Sequence, residues 1–188
     1  GKEEPERYVE YAITAGMLSL GFSEHAPLPF ENNFSVKDVH QLNQYVTEIQ
    51  GLKEKYNEQL NIYAALEADY IPGVSLDFKL LKDNFNLDYI IGSVHLVKTL
   101  DDRMWFIDGP DRKVWKGGLE RIFDNDIRKA VTAYYEQIIE MIQTQKPEVI
   151  GHLDKIMMHN KNEFMSEEET WYRELVIQCL ETTRKHGC

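Results

Sequence analysis

Four side chains with metal-binding chemistry stand at the C-terminal ends of four short apolar runs: His25, Glu67, His95 and His152. Apolar, β-branched runs of this length are typical of buried strands. Histidine and carboxylate ligands together suit zinc, manganese or iron rather than calcium or magnesium. In barrel-like α/β proteins the active site is assembled at the C-terminal ends of the strands. We therefore predict that the four side chains converge on divalent metal ions.

A single histidine at a strand end is more often a hydrogen-bonded structural residue than a ligand. Several strand ends of this kind in one chain favour the metal site, because strands are short and histidine is rare. The remaining histidines do not share the pattern, and we predict that none of them binds metal: His40, His159 and His186.

A metal centre of this composition could hydrolyse a phosphate ester. The carboxylate of Glu67 can bridge two ions, since each oxygen can bind one. Two ions about 3.5–4 Å apart generate a hydroxide near neutral pH and hold the nonbridging oxygens and the leaving alkoxide. We predict Glu67, His95 and His152 as the catalytic residues, acting through this metal-bound hydroxide.

Charged residues next to the strand ends could support such a centre. Asp69, Asp108 and Asp154 could each orient a ligand histidine, although turn or capping bonds are the alternative for every one. Asp154, two residues beyond His152, is the strongest of the three. For the substrate phosphate, Lys155 is preferred over the other cations near strand ends, which are Lys98, Arg103, Arg112 and Lys113.

The predicted strands alternate with predicted helices. Helical spacing and capping residues predict helices over 5–16, 35–58, 75–84 and 119–145, and a last helix from Ser166 to Gly187. Strands are predicted over 18–23, 61–67, 89–95, 104–108 and 148–151, and an irregular loop between Gly109 and Gly118. Such alternation predicts an α/β fold with a parallel sheet and outer helices. A closed barrel needs about 250 residues, so either the sheet is open or the chain is the middle of a longer protein.

Composition narrows the class of protein further. With 188 residues, one domain is expected, and the net charge of −11 argues against a nucleic-acid binder with a basic surface. The two cysteines form no metal-binding pair of the CxxC type. No signal peptide and no apolar run of transmembrane length is present, which favours a cytoplasmic protein without a membrane partner. The oligomeric state is left open.

Four motifs carry a resemblance to a known family: Gly21-Phe22-Ser23-Glu24-His25-Ala26-Pro27, Glu67-Ala68-Asp69-Tyr70, Gly92-Ser93-Val94-His95 and Ile150-Gly151-His152-Leu153-Asp154. Together they resemble the polymerase-and-histidinol-phosphatase (PHP) superfamily and, within it, the histidinol-phosphatase branch. The resemblance implies a distorted (β/α)7 barrel with a trinuclear metal site. Glu67 would bridge two ions, His95 and His152 would hold one of them, and His25 would help to hold the third. The implied reaction is hydrolysis of L-histidinol phosphate to L-histidinol and phosphate in histidine biosynthesis.

The chain departs from the family pattern in two places. The family opens with an HxH motif on its first strand, and this sequence has none. The family closes with an Asp-x-His motif on its last strand, and no such motif follows the last predicted strand, 148–151. The resemblance therefore implies an incomplete barrel and a partial domain over residues 1–188. We expect this chain on its own to be weakly active or inactive, and to bind fewer than three ions.

Two alternatives to a histidinol phosphatase stay open on the sequence. One is another PHP phosphoesterase, acting on a nucleotide or a nucleic-acid end, although the acidic balance disfavours nucleic acid. The other is a non-catalytic module that binds metal for structure or binds a partner chain along its sheet edges.

Overall fold

The computed structural model describes residues 3–188; Gly1 and Lys2, the first residues of the predicted domain, lie outside the described residues. Helices and strands follow one another in the order α1 (Pro5–Thr14), β1 (Ser19–His25), α2 (Val39–Lys55), β2 (Asn61–Asp69), α3 (Phe78–Phe85), β3 (Tyr89–Ser93), β4 (Leu96–Lys98), β5 (Met104–Phe106), α4 (Arg112–Phe123), α5 (Ile127–Thr144), β6 (Val149–Ile150) and α6 (Thr170–His186). In hydrogen-bonding order the strands are β1-β2-β3-β6, and β4 and β5 form a separate pair. The α/β class predicted from the alternation of elements is thus confirmed.

The chain divides into two compact units. Among the described residues, the first comprises 3–68 and Leu76–Ile91. In it β1 and β2 pair in parallel, in a register that runs from Ser19 opposite Asn61 to His25 opposite Glu67. Helices α1 and α2 and the neighbouring strand β2 share one apolar core, formed by Val9, Ala12, Ile49, Leu52, Leu60, Ile62 and Ala64.

The second unit comprises Asp69–Ser75 and Gly92–Cys188. Its short strands β4 and β5 are antiparallel, with Leu96 opposite Phe106. Behind them lies an aromatic core in which the Trp105 ring stands 5.1 Å from Trp115 and 5.5 Å from Phe123, centroid to centroid. Tilted aromatic rings at such separations pack favourably, so this core fixes α4 against the β4–β5 hairpin.

The single helix predicted over 119–145 is wrong, because two helices, α4 and α5, occupy this part of the chain. Asp124 and Asn125 between them take the left-handed conformation, with φ of 53° and 60°. The Asp126 side chain then caps α5 by accepting a hydrogen bond of 2.9 Å from the Lys129 N–H. Asparagine and aspartate tolerate this backbone without a glycine, so the break interrupts an otherwise continuous apolar stripe.

The irregular loop predicted between Gly109 and Gly118 is also wrong, because α4 begins at Arg112. Asp111 caps this helix by accepting a 2.8 Å hydrogen bond from the Lys113 N–H. A Cβ atom added at Gly118 would overlap the indole of Trp105. The glycine therefore allows a close approach of helix and ring, and it does not mark a loop.

Helix ends differ by a few residues from the prediction. Helix α2 begins at Val39, with Asp38 as its N-cap accepting from the Gln41 N–H at 2.8 Å. Helix α6 begins at Thr170 and ends at His186, and its C-cap Gly187, with φ of 73°, confirms the predicted stop. Across residues 3–188, no helix has the length and apolar character that a membrane span requires.

Candidate metal centre

The first unit places His25 and Glu67 side by side. They are the last pair in the β1–β2 register, so their side chains leave the same face of neighbouring parallel strands. His25 Nε2 lies 3.9 Å from Glu67 Oε2, and both side chains are partly buried. The Ala26 N–H donates to the Glu67 carbonyl at 2.8 Å and continues the pairing just past His25.

In the second unit, main-chain bonds bring three segments together at the end of β3. The Tyr70 N–H donates to the Ser93 carbonyl and the Gly151 N–H donates to the Gly92 carbonyl, each at 2.8 Å. A Cβ at Gly92 would lie 2.7 Å from Pro147 Cγ, so only glycine fits this close packing. These bonds bring Asp69, His95 and His152 close together, because each is a near neighbour in sequence of a bonded residue.

Asp69 orients His95 within this second unit. The His95 Nδ1 lies 2.6 Å from Asp69 Oδ1, and the His95 backbone N–H donates to the same oxygen at 3.0 Å. Both residues are almost completely buried. Because a carboxylate accepts, Nδ1 carries the proton in this bond, and in the neutral imidazole Nε2 then presents a lone pair. This arrangement is typical of metal-ligating histidines.

That lone pair faces a second imidazole. His95 Nε2 and His152 Nε2 are 2.9 Å apart. Two imidazole nitrogens on one tetrahedral zinc ion would stand about 3.3 Å apart. A small outward displacement of the two rings would therefore admit an ion between them. The hydroxyl of Tyr134 donates to the His152 carbonyl at 3.1 Å. Burial raises the pKa of Tyr134, so this hydroxyl keeps the proton that it donates and holds the His152 backbone.

An ion pair also lies beside His95. Asp108 follows β5, and its Oδ2 lies 3.5 Å from His95 Nε2. Its other oxygen, Oδ1, lies 2.5 Å from Lys155 Nζ. Lys155 opens the 3-10 turn Lys155–Met157, which starts three residues beyond His152. The centre thus combines histidine nitrogens, carboxylates and one lysine.

Nearly the whole chain matches one known protein family. The model of the PHP domain family matches residues 1–187. The chain belongs to the PHP domain family.

Curated relatives of this PHP domain include two histidinol phosphatases. A probable histidinol-phosphatase from Schizosaccharomyces pombe is 31% identical over 97% of this chain, and the histidinol-phosphatase of Bacillus subtilis is 31% identical over 96%. The chain spans 61% of the length of the first relative and 70% of the second.

Solved structures show the same PHP-type fold. The hisK protein from Listeria monocytogenes matches with a TM-score of 0.77 at 19% identity, over 97% of this chain and 73% of that protein. The histidinol phosphate phosphatase from Lactococcus lactis matches with a TM-score of 0.64 at 19% identity, over 98% of this chain and 65% of that one. The second structure contains zinc, L-histidinol and phosphate.

The predicted metal ligands of this PHP domain lie in both units of the chain. Candidate metal-binding side chains lie together within each unit: His25 and Glu67 in the first, and Asp69, His95 and His152 in the second. All four predicted ligands belong to this set. Asp154 is exposed, and its predicted role in orienting His152 stays a prediction. Asp69 is the carboxylate that orients a histidine.

One contributor escaped the sequence analysis altogether. Gln137 of α5 is buried, and its Nε2 donates to the Tyr70 carbonyl at 2.6 Å and to the Leu96 carbonyl at 2.8 Å. Its Oε1 accepts from the Lys98 N–H at 2.9 Å. Tyr70 follows Asp69 and Leu96 follows His95, so Gln137 fixes the backbone beside both members of the pair. A polar residue on the apolar stripe of α5 was the available signal.

Proposed function

We propose that this PHP domain hydrolyses L-histidinol phosphate to L-histidinol and phosphate, as a step of histidine biosynthesis. Family membership and the two histidinol-phosphatase relatives support the reaction. The Lactococcus lactis enzyme, solved with zinc, L-histidinol and phosphate, supports the substrate class. The partner of the site is thus a small phosphate monoester.

The ligands that we propose are His25, Glu67, His95 and His152, for zinc, manganese or iron, with up to three ions in the complete protein. The observation that carries the proposal is the orientation of His95 by Asp69, which leaves its Nε2 lone pair 2.9 Å from His152 Nε2. The nitrogen and oxygen donors of the set match these metals. Glu67 and Asp69 are two residues apart on β2 and so leave the same face of that strand.

Each protein group has a definable role in such a reaction. When bound, divalent ions supply a nucleophile near neutral pH and neutralise developing charge on the phosphoryl oxygens. Asp69 holds the His95 ring in one tautomer and one direction. Glu67 would hold metal through its carboxylate oxygens. Lys155, as we propose, binds the phosphate of the substrate, since its ammonium group lies beside the two histidines through Asp108.

We propose further that residues 1–188 form one PHP-type phosphoesterase domain. In this proposal the strands β1, β2, β3 and β6 belong to a distorted (β/α)7 barrel, which these residues build in part. The parallel β1–β2 pair and the match of this chain to 73% of the hisK protein from Listeria monocytogenes support it.

A substrate panel tests the reaction. The protein, supplied in turn with zinc, manganese and iron, is incubated at high concentration with L-histidinol phosphate, p-nitrophenyl phosphate, mononucleotides and 5′-phosphorylated DNA. We expect phosphate release to be fastest from L-histidinol phosphate and to stop when a chelator is added. Release that favours nucleotides or DNA ends would instead support another PHP phosphoesterase.

Variants separate the proposed centre from a background activity. His95→Ala should lower phosphate release more than about 100-fold, because losing a ligand exceeds the 10- to 100-fold effect of losing its orienting partner. His40→Ala is the matched control, since His40 is an exposed histidine on α2. Because this chain on its own is expected to be weakly active, the zinc affinity of both proteins is measured as well. Wild-type zinc binding and phosphate release that are both no greater than those of His95→Ala would contradict the proposed function.

A further inference from the structure

The ion pair of Asp108 and Lys155 has properties that metal ligation does not explain. About a quarter of each side chain is exposed, 25% for Asp108 and 22% for Lys155, whereas Asp69 is 2% exposed. A ligand can therefore reach both charges. Asp108 is also absent from the groups of described side chains that could hold a metal ion.

Orientation of His95 does not require Asp108 either. Asp69 already accepts from both the Nδ1 and the backbone N–H of His95. Asp108 Oδ2 stands 3.5 Å from the opposite ring nitrogen, Nε2, which is beyond an ordinary hydrogen bond. Asp108 therefore lies beside the candidate metal ligands, but it is Asp69 that orients His95, the nearest of them.

Both charges are held in place by main-chain bonds on either side. The Ile107 N–H donates to the His95 carbonyl at 2.9 Å, and the buried His159 donates from Nε2 to the Gly109 carbonyl at 2.7 Å. The Lys155 N–H donates to the His152 carbonyl at 3.1 Å. Neither residue depends on the ion pair for its backbone position, so the pair can open without moving the loops.

The arrangement of charges suits a molecule that carries both signs. L-histidinol phosphate bears an ammonium group on the carbon next to the one that carries the phosphate ester. A carboxylate and an ammonium side by side at the end of β3 offer the opposite charge to each of these groups. Opposite charges placed this way supply specificity through charge-assisted hydrogen bonds.

We propose that Asp108 is a specificity-determining residue that binds the ammonium group of the substrate. In binding it, Asp108 exchanges its bond to Lys155 for one to the substrate and releases Lys155 to the phosphate. This inference rests on the proposed function. A phosphate ester without the amino group leaves Asp108 paired with Lys155, so that carboxylate and phosphate compete for one cation. The site thereby discriminates in favour of amino-alcohol phosphates.

Equilibrium binding by calorimetry tests the exchange, with zinc-supplied protein at pH 8, where free imidazole is neutral. The probes are L-histidinol, its deamino analogue 3-(imidazol-4-yl)propan-1-ol, and inorganic phosphate. Asp108→Asn should weaken L-histidinol binding about 10- to 100-fold, as expected for the loss of a charged hydrogen-bond partner. The same variant should leave the deamino analogue unchanged and tighten phosphate binding about 2- to 5-fold.

Lys155→Met should give the crossed pattern, with phosphate binding weaker by about 10-fold or more and L-histidinol binding not weakened. Asp101→Asn is the matched control, because Asp101 also pairs with a cation, Arg103 at 2.8 Å, but on the exposed β4–β5 turn. Equal loss of L-histidinol and deamino-analogue binding in Asp108→Asn, or no loss of either, overturns the inference and leaves the phosphatase proposal standing. Wild-type protein that binds neither L-histidinol nor phosphate overturns both.

Discussion

A single oxygen of Asp69 holds His95 twice, through the ring Nδ1 at 2.6 Å and through the backbone N–H at 3.0 Å. The two contacts fix both the position of the residue and the direction of its imidazole. The only ring nitrogen left to face His152 is Nε2. The behaviour of the metal centre should therefore depend on Asp69.

Replacing Asp69 by asparagine should weaken metal binding by about 10- to 100-fold, the usual effect of removing the partner that orients a ligand histidine. Zinc affinity measured by competition with a chromophoric chelator reports the change. Asp154→Asn is the matched control, because Asp154 is exposed. A larger loss in Asp154→Asn than in Asp69→Asn would restore the role predicted for Asp154 from the sequence.

Gln137→Ala should lower the free energy of unfolding by about 2–4 kcal/mol, since it strips hydrogen bonds from the main chain of Tyr70, Leu96 and Lys98. Urea unfolding at pH 7 measures this difference. The neighbouring Glu136 is exposed on the same helix, and Glu136→Ala should change stability by less than about 0.5 kcal/mol. Equal effects of the two variants would show that the Gln137 bonds contribute nothing.

Two adjacent glycines of α4 should respond in opposite directions to alanine. A Cβ at Gly118 would overlap the buried Trp105 ring, so Gly118→Ala should destabilise the fold by about 1–3 kcal/mol. A Cβ at Gly117 would meet only the end of the flexible Arg121 side chain, at 2.7 Å. Gly117→Ala should therefore be neutral or stabilise by up to about 1 kcal/mol, the helix-propensity difference. Thermal unfolding of both variants measures these differences. A destabilised Gly117→Ala with an unaffected Gly118→Ala would contradict the close packing of Gly118 against Trp105.

Stability at high pH should depend on Cys179. Burial raises the pKa of this thiol from 9.0 to about 11. The folded state thus keeps the neutral thiol while the unfolded chain ionises, so the stability linked to Cys179 is fully present below pH 9 and is lost as the pH rises towards 11. Between pH 8 and pH 11, wild type should lose about 2 kcal/mol more unfolding free energy than Cys179→Ala. Parallel pH profiles for the two proteins would disprove the link.

Local sequence signals predicted β1, β2, β3, β5 and β6, because each lies in a short apolar run, but they did not predict β4 (Leu96–Lys98) as a separate strand. They failed between Gly109 and Thr144, where the decisive contacts are distant in sequence. Gly118 resembles a loop residue until Trp105, thirteen positions earlier, is seen to pack on it. The turn at Asp124 and Asn125 lacks both proline and glycine, so the apolar period suggested one helix instead of two.

The candidate ligands followed from residue type and position at strand ends, but their supporting residues did not. Asp69 was one of three aspartates considered, and only the bond to His95, 26 positions away, distinguishes it from Asp154. The spacing of two between Glu67 and Asp69 was the missed signal, since it puts both on one face of β2. Gln137 bonds to main-chain atoms of residues distant in sequence, and the signal that the sequence offered was its place as a polar residue on the apolar stripe of α5.

Zinc K-edge X-ray absorption of the zinc-supplied protein tests most directly whether His95 and His152 bind a divalent ion. Wild type should show imidazole nitrogens at about 2.0–2.1 Å from zinc, and His95→Ala and His152→Ala should each lose part of this imidazole scattering. A wild-type spectrum without imidazole nitrogen around zinc, or one that is identical in both variants, would contradict the metal centre.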